Sequence, residues 1–281
     1  MRRHELTDEE WDRLRPFLPV SRLGRPREDD RRVLNGIVWK IRTGVAWRDV
    51  PPRYGSWQSL YTRFRRWAKD GTFTAMLQAV QAEADARGDV DWLVAVDSTI
   101  VRAHQHAAGA RKGGSASARK EDHALGRSRG GLTSKIHLAC EGAGRPLAFC
   151  LTGGNVNDCT QLEQVLAGIR VPRLAGGRPR TRPDQVVADK GYSTRKIRAY
   201  LRRRGIGHTI PERSDQIAAR KRRGRRGGRP PRFDRALYRR RNVVERCFNR
   251  LKQFRALATR YDKTATSYTA VVTIACLMLW L

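Results

Sequence analysis

Residues 1 to 88 carry apolar positions at helical spacing. Thr7, followed three residues later by Glu10, is a capping-box signature ahead of Trp11, Leu14 and Leu18. A second helix is expected from about Glu28, because Val33, Leu34, Ile37, Val38 and Ile41 recur at three- and four-residue steps. Gly44 and the Pro51-Pro52 pair break it, and a third helix starts near Ser56. There Trp57, Leu60, Tyr61, Phe64 and Trp67 form one stripe, and Arg63, Arg65 and Arg66 are expected to project away from it.

Near residue 89 the pattern changes to strands. Trp92-Leu93-Val94-Ala95-Val96 is a continuous apolar run, suited to a strand buried on both faces. Further strands are expected over Leu132 to Ala139, Pro146 to Leu151, Gln185 to Ala188 and Gly207 to Ile210, with a helix over Asn157 to Ile169. This order implies an α/β fold over 89–281 behind an all-helical 1–88. The last helix, Ser267 to Trp280, is apolar nearly all round, so it belongs in a core or against a second subunit.

Charge then narrows the partners. Lys and Arg number 58 against 27 Asp and Glu, for a net charge of +31, which self-repels unless a polyanion neutralises it. No apolar run approaches the roughly 18 residues of a membrane span, so nucleic acid rather than membrane is the expected partner. The start Met1-Arg2-Arg3-His4-Glu5 leads into polar helix rather than a signal peptide, so a cytoplasmic, nucleoid-associated protein is expected. Cys140, Cys150, Cys159, Cys247 and Cys276 show no Cys-x-x-Cys pair and read as reduced thiols.

Two basic insertions, His104 to Arg129 and residues 211–232, bury too little apolar surface to fold alone and are expected to be weakly ordered. The second carries Arg222, Arg223, Arg225 and Arg226, which with Arg63, Arg65 and Arg66 are the candidate DNA contacts. On the third helix the arginines suit a helix-turn-helix; the alternative is an ordinary solvated face.

Three acids can carry chemistry. Asp97 closes the first apolar strand, Asp189 closes the Gln185 to Ala188 strand, and Glu245 lies in a late helix. Open α/β sheets bind ligands at the carboxyl ends of their strands, and carboxylates there suit magnesium ions that stabilise the attacking and leaving oxygens of a displacement. Tyr238, Arg241, Glu245 and Lys252 fall on one stripe of an ideal helix, opposite Val244, Cys247, Phe248, Leu251 and Phe254. That row is either a functional face or a solvated stripe with an Arg241–Glu245 ion pair. His104-Gln-His106 reads as a polar loop rather than a metal pair, while Tyr192 and Tyr238 are the tyrosines available to a nucleophilic alternative.

The order Asp, Asp, Glu, with Tyr238, Arg241, Glu245 and Lys252 at Tyr-x-x-Arg-x-x-x-Glu-x-x-x-x-x-x-Lys spacing, resembles the DDE transposases of bacterial insertion sequences, in particular the insertion-sequence-five family. The likeness extends to Leu6-Thr-Asp-Glu-Glu-Trp11, Gly44-Val-Ala-Trp-Arg-Asp-Val-Pro-Pro52, Val96-Asp-Ser-Thr-Ile-Val-Arg-Ala-His104, Leu151-Thr-Gly-Gly154, Ala188-Asp-Lys-Gly-Tyr192 and Tyr261-Asp-Lys263.

The resemblance implies a ribonuclease-H-like (retroviral-integrase-like) catalytic domain and an N-terminal helix-turn-helix-like DNA-binding domain. It also implies that Asp97, Asp189 and Glu245 bind two Mg2+ ions, with Mn2+ as a possible substitute. Lys190, Arg241 and Lys252 become candidates for phosphate contact, and Tyr238 joins the signature. The implied partners are transposon ends and target DNA, acted on by a dimer or larger assembly. The competing readings are a non-catalytic DNA-binding protein derived from such an enzyme, and a ribonuclease-H-like nuclease that cuts without rejoining.

Overall fold

The computed structural model describes residues 4–19, 29–108 and 123–281. Its N-terminal part holds four helices, α1 (Asp8–Leu14), α2 (Asp30–Thr43), α3 (Trp57–Lys69) and α4 (Thr72–Ala86). The Glu10 N–H donates to the Thr7 hydroxyl at 3.0 Å while the Glu10 carboxylate accepts the Thr7 N–H at 2.8 Å, so the expected capping box forms. Asp29 caps α2 and Ser56 caps α3; the expected start of α2 at Glu28 lies outside the described residues. At the end of α2, Gly44 is left-handed at φ 75°, and a Cβ there would lie 2.7 Å from Arg255 Cβ.

The rest of the chain builds β1 (Leu93–Ala103), α5 (Gln105–Ala108), β2 (Gly126–Ser128), β3 (Gly131–Cys140), β4 (Pro146–Gly153), α6 (Leu162–Ala167), β5 (Gln185–Ala188), α7 (Arg195–Arg203), β6 (Gly207–Thr209), α8 (Ser214–Arg222), α9 (Arg235–Arg239), α10 (Asn242–Lys252), α11 (Arg255–Ala258), β7 (Thr259–Arg260) and α12 (Ala265–Leu277). The sheet runs β2-β3-β1-β5-β6, with β4 also paired to β3 and β7 to β1. Strand β1 is antiparallel to β3 and parallel to β5, and β6 continues parallel to β5. The mixed α/β architecture expected from the sequence is therefore present, with a helical N-terminal region beside a central sheet.

Several elements differ from their expected extent. Strand β1 does not close at Asp97 but continues to Ala103, because Asp97 to Arg102 remain paired with Leu138 to Thr133 of β3 after the apolar run has ended. The expected helix over Asn157 to Ile169 is a 3-10 turn at Asp158–Thr160 followed by the shorter α6. Residues 211–232 are not unstructured: α8 forms within them, tied down where the Gln216 amide donates to the Ser193 carbonyl and Arg220 pairs with Glu212 at 2.8 Å. Of the other basic insertion, residues 109–122 lie outside the described part.

One buried apolar cluster joins both regions, from Leu6 and Ile37 through Phe64 and Met76 to Val94, Val187, Val244 and Trp280. Helix α12 runs through it, with Ala270 to Leu277 all buried, as its uniform apolarity demands. Burial of side chains the size of Phe64 or Val94 contributes roughly 1.5–3 kcal/mol each before chain entropy is charged against it. Among the described residues no helix is long and apolar enough to cross a membrane.

The start of β1 is fixed from outside the core by Glu141, which is fully buried. Its carboxylate accepts the N–H groups of Asp91, Ala143 and Arg145 at 3.2, 3.0 and 2.9 Å. This cluster links the entry of β1 to the β3–β4 turn and so sets the depth at which Asp97 sits.

Candidate active site

The parallel ladder between β1 and β5 ends at the pair Val96–Ala188. Asp97 and Asp189 are the next residues on each strand, so both carboxylates stand at the edge where β5 stops and β1 runs on. Asp189 turns the chain there: its carboxylate accepts the Gly191 N–H at 2.8 Å and caps the 3-10 turn Lys190–Tyr192. Lys190 is exposed on that turn.

Asp97 is about three-quarters covered and accepts two hydrogen bonds, from its neighbour Ser98 N–H at 2.8 Å and from the Arg241 guanidinium at 3.0 Å. The same guanidinium donates to Glu245 at 2.7 Å, so Arg241 spans two of the three acids. Burial pushes the Asp97 carboxyl up; the Ser98 N–H and Arg241 oppose it, and the charges of Asp189 and Asp158 add to it. Arg241 is pulled down by its own burial, but Asp97, Glu245 and Tyr238 outweigh this and leave its pKa raised.

The late acid does not sit on one long helix. Helix α9 ends at Arg239 and α10 begins at Asn242, so the continuous stripe expected from Tyr238 to Lys252 is broken at Arg240 and Arg241. Arg241 occupies the cap position of α10, from which its side chain reaches both Asp97 and, one turn on, Glu245. Tyr238 is half-buried on α9 with its ring 5.2 Å from Phe233, and Lys252 is exposed at the far end of α10, seven residues beyond Glu245.

Two further groups belong to this edge. Asp158 lies on the 3-10 turn that packs against Lys190–Tyr192, and it pairs with Lys135 at 2.8 Å. No periodicity in the sequence singles it out; the packing of the two turns brings it there. His137 beside it is driven down to about 4, mainly by burial, and is neutral at physiological pH. Tyr192 is only 1% exposed, and its hydroxyl has no hydrogen-bond partner. Burial, then the charges of Asp97, Asp158 and Asp189, raise its pKa. A phenol so enclosed cannot serve as the attacking nucleophile on DNA.

The candidate DNA contacts divide. Arg65 and Arg66 are exposed on α3, and Arg222, Arg223, Arg225 and Arg226 are exposed in and beyond α8. Arg63 is the exception: it is 8% exposed, ion-paired to Asp30 and set 5.5 Å from the Trp67 ring, so it faces the helical core rather than projecting from it. The stripe spacing mislabels it because a guanidinium with a carboxylate partner at the edge of the core can lie on the packed side of a helix.

Asp97, Asp189 and Glu245 supply hard oxygen donors of the kind that suit divalent cations. Among the described residues no three His, Cys, Asp or Glu side chains are already gathered as a metal-holding group; Arg241 provides the positive charge between two of them. Three carboxylates fit a hard divalent ion better than a soft metal, which selects thiolate ligands.

An α/β sheet with carboxylates where the parallel β1–β5 pairing stops, set in a strongly basic chain, fits the class of enzymes that act on phosphate esters of nucleic acid. Comparison with known proteins narrows it. The family described as "Transposase DDE domain" matches residues 88–280, and "Putative transposase of IS4/5 family" matches residues 6–77. The chain belongs to the DDE transposases. It is 37% identical over 146 residues to a putative transposase for insertion sequence element IS402 of Burkholderia cepacia, covering 52% of this chain and 62% of that protein. It is 29% identical over 154 residues to a putative transposase for IS6501 of Brucella ovis, covering 53% of this chain and 99% of that one. Protein y4sN of Sinorhizobium fredii is 44% identical over 109 residues, 38% of this chain and 83% of its own.

The chain is thus an insertion-sequence transposase, an enzyme that cleaves and transfers DNA strands, and membership of the DDE family implies use of a divalent metal.

Proposed function

We propose that Asp97, Asp189 and Glu245 form the catalytic centre, that the metal is Mg2+, and that the chain cuts at the ends of its element and joins the freed 3′ hydroxyl to target DNA. The observation that carries this reading is the placement of Asp97 and Asp189 one residue past the last β1–β5 pair, with Glu245 tethered to Asp97 through Arg241. The order of the sheet, long antiparallel strands on one side of β1 and short parallel ones on the other, supports the ribonuclease-H-like assignment.

Two Mg2+ ions held by the three carboxylates would stabilise charge on the attacking and leaving oxygens of an in-line displacement. The remaining work falls to the protein. Arg241 keeps Asp97 and Glu245 oriented while the site is free of substrate. Lys190, exposed beside Asp189, and Lys252, along α10 from Glu245, neutralise phosphates of the bound strand.

In the first step water oxygen bonds to phosphorus and the bond to the 3′ oxygen breaks, releasing the 3′ hydroxyl. In the second, that hydroxyl oxygen bonds to a target phosphorus and the target's own 3′ oxygen leaves. No covalent protein–DNA bond is required, in keeping with the enclosure of Tyr192.

End recognition is assigned to the helical region through Arg65 and Arg66, and sequence-independent affinity to the arginines of α8 and the turn after it. Assembly as a dimer or larger complex on DNA follows from the need to process two ends together. The test is magnesium-dependent cutting and joining of the element's own end DNA by wild type, Asp97→Asn, Asp189→Asn and Glu245→Gln. Wild type should cut and join, and each variant should bind DNA yet lose both steps. Cutting without joining would favour a plain nuclease, and binding without cutting in wild type a non-catalytic descendant.

A further inference from the structure

Two stretches that the catalytic centre leaves unused, Gly44 to Trp47 and Tyr261 to Lys263, lie far apart in the sequence. The fold brings them together around one cavity of about 650 Å³, lined also by α3 and by His106. That volume lies within the roughly 300–1,000 Å³ of ordinary ligand pockets.

Four aromatic side chains line it: Trp47, Trp57, Tyr61 and Tyr261. Tyr261 is 42% exposed, and His104 stacks on it at 4.5 Å with an interplanar angle of 29°. Three cations, Lys40, Arg65 and Lys263, share the lining. Aromatic faces between cations are the combination that holds a nucleotide out of its stack, rings against the base and cations against phosphate. The outside of an intact duplex offers no base faces to such rings.

The wall also carries a buried cation and a buried acid, Lys40 and Asp262, each close enough to act on the other's charge. Lys40 is 5% exposed with its ammonium 5.2 Å from the Trp47 ring, and Asp262 has a carboxylate oxygen that is closed off and has no hydrogen-bond partner. The wall thus holds both signs of charge, and Asp262 would repel a bare phosphate. The edge of a nucleobase presents acceptors and donors together and suits both.

We propose that this cavity receives one unstacked base of the DNA substrate, stacked on Tyr261 and the tryptophans with its edge toward Lys40 and Asp262 and its flanking phosphates on Arg65 and Lys263. The proposal rests on the DNA-cleaving function and adds a binding site to it. Strand β1 sets the distance. From Asp97 to His104 are seven residues, so the cavity lies about 23 Å from the catalytic edge at ~3.3 Å per residue. Along a duplex at ~3.4 Å per step this is about seven base pairs from the cut.

The test uses full-length protein and duplexes of the element's end, with 5-iodouracil placed at successive positions over about ten base pairs from the cut, a span set by that spacing. Ultraviolet cross-linking, which joins this base to aromatic rings stacked on it, is mapped by mass spectrometry. The expected adduct is on Tyr261, Trp57, Trp47 or Tyr61, at one or two positions only. In parallel, Tyr261→Ala should weaken end binding by about 5- to 100-fold, the range for loss of one base–aromatic stack, while Tyr261→Phe binds like wild type. Cross-links confined to other residues, or equal binding by Tyr261→Ala and wild type, would overturn the pocket and leave the catalytic reading intact. Failure of wild type to prefer end DNA over random DNA would overturn both.

Discussion

Replacing Asp97 by Asn should separate stability from chemistry in this protein. Asp97 is largely buried, which costs an ionised carboxylate several kcal/mol. Its hydrogen bonds from Arg241 and Ser98 each return about 1.5–3 kcal/mol, as charge-assisted bonds do. The balance is against the charge, because the carboxyl's pKa is raised above its ordinary value. The sign follows: a carboxyl raised in the folded state contributes stability below its unfolded pKa, and that contribution is lost as pH rises through the folded value. At pH 7 without metal, wild type therefore carries a strained anion that Asn does not. The expected result is a gain for Asp97→Asn on the order of 1 kcal/mol, or about 2 °C in Tm for a chain of this size.

The assay is thermal melting from pH 4 to 8 in a chelator, and again with magnesium. The advantage of the variant should shrink as pH falls toward the ordinary carboxyl range, where wild type also becomes neutral. Magnesium should raise the Tm of wild type more than that of the variant, since a ligand that binds only the folded state stabilises it by mass action. A variant that melts clearly below wild type at pH 7 in chelator would refute the reasoning, since it would show that the Arg241 and Ser98 bonds outweigh the cost of burial.

Two further outcomes follow from the geometry. Arg63→Ala should cost about 2 kcal/mol in denaturant unfolding by removing a largely covered ion pair with Asp30 and the packing of the guanidinium on the Trp67 ring, with little change in DNA affinity, whereas Arg65→Ala with Arg66→Ala should leave stability alone and flatten the slope of log affinity against log salt by about 0.9 for each phosphate no longer neutralised. Equal effects of the two on affinity would show that Arg63 reaches DNA after all. Arg260 is fully buried and donates to the carbonyls of Ala124, His123, Asp262 and Lys263 and to the Ser134 hydroxyl; Arg260→Met should lower unfolding free energy by about 3–5 kcal/mol, and Arg260→Lys should recover only part of it. A loss under about 1 kcal/mol for Arg260→Met would refute a structural role for this cluster.

What could be read from the residues alone was whatever local chemistry dictates. The capping box at Thr7 and Glu10, the strand from Gln185 to Ala188 and the burial of the last helix all appear where apolar spacing and side-chain hydrogen bonding place them. Asp189 was visible as a strand end because a β-strand announces itself over a few residues, whereas Asp97 follows the apolar run but lies within β1.

Long-range packing decided the rest. The sequence cannot show that β1 runs past Asp97, because those residues are held by pairing to a distant strand and not by their own apolarity. Nor can it show the break between α9 and α10 that frees Arg241 to reach Asp97, the turn of Arg63 toward Asp30, the packing of the Asp158 turn against Lys190–Tyr192, or the meeting of Trp47 with Tyr261 around one cavity. Each depends on which partner satisfies a charge or covers a ring. That is fixed only when segments distant in the chain compete for the same neighbours, so the sequence determined most of the elements, and the tertiary structure determined where they stop and what their side chains face.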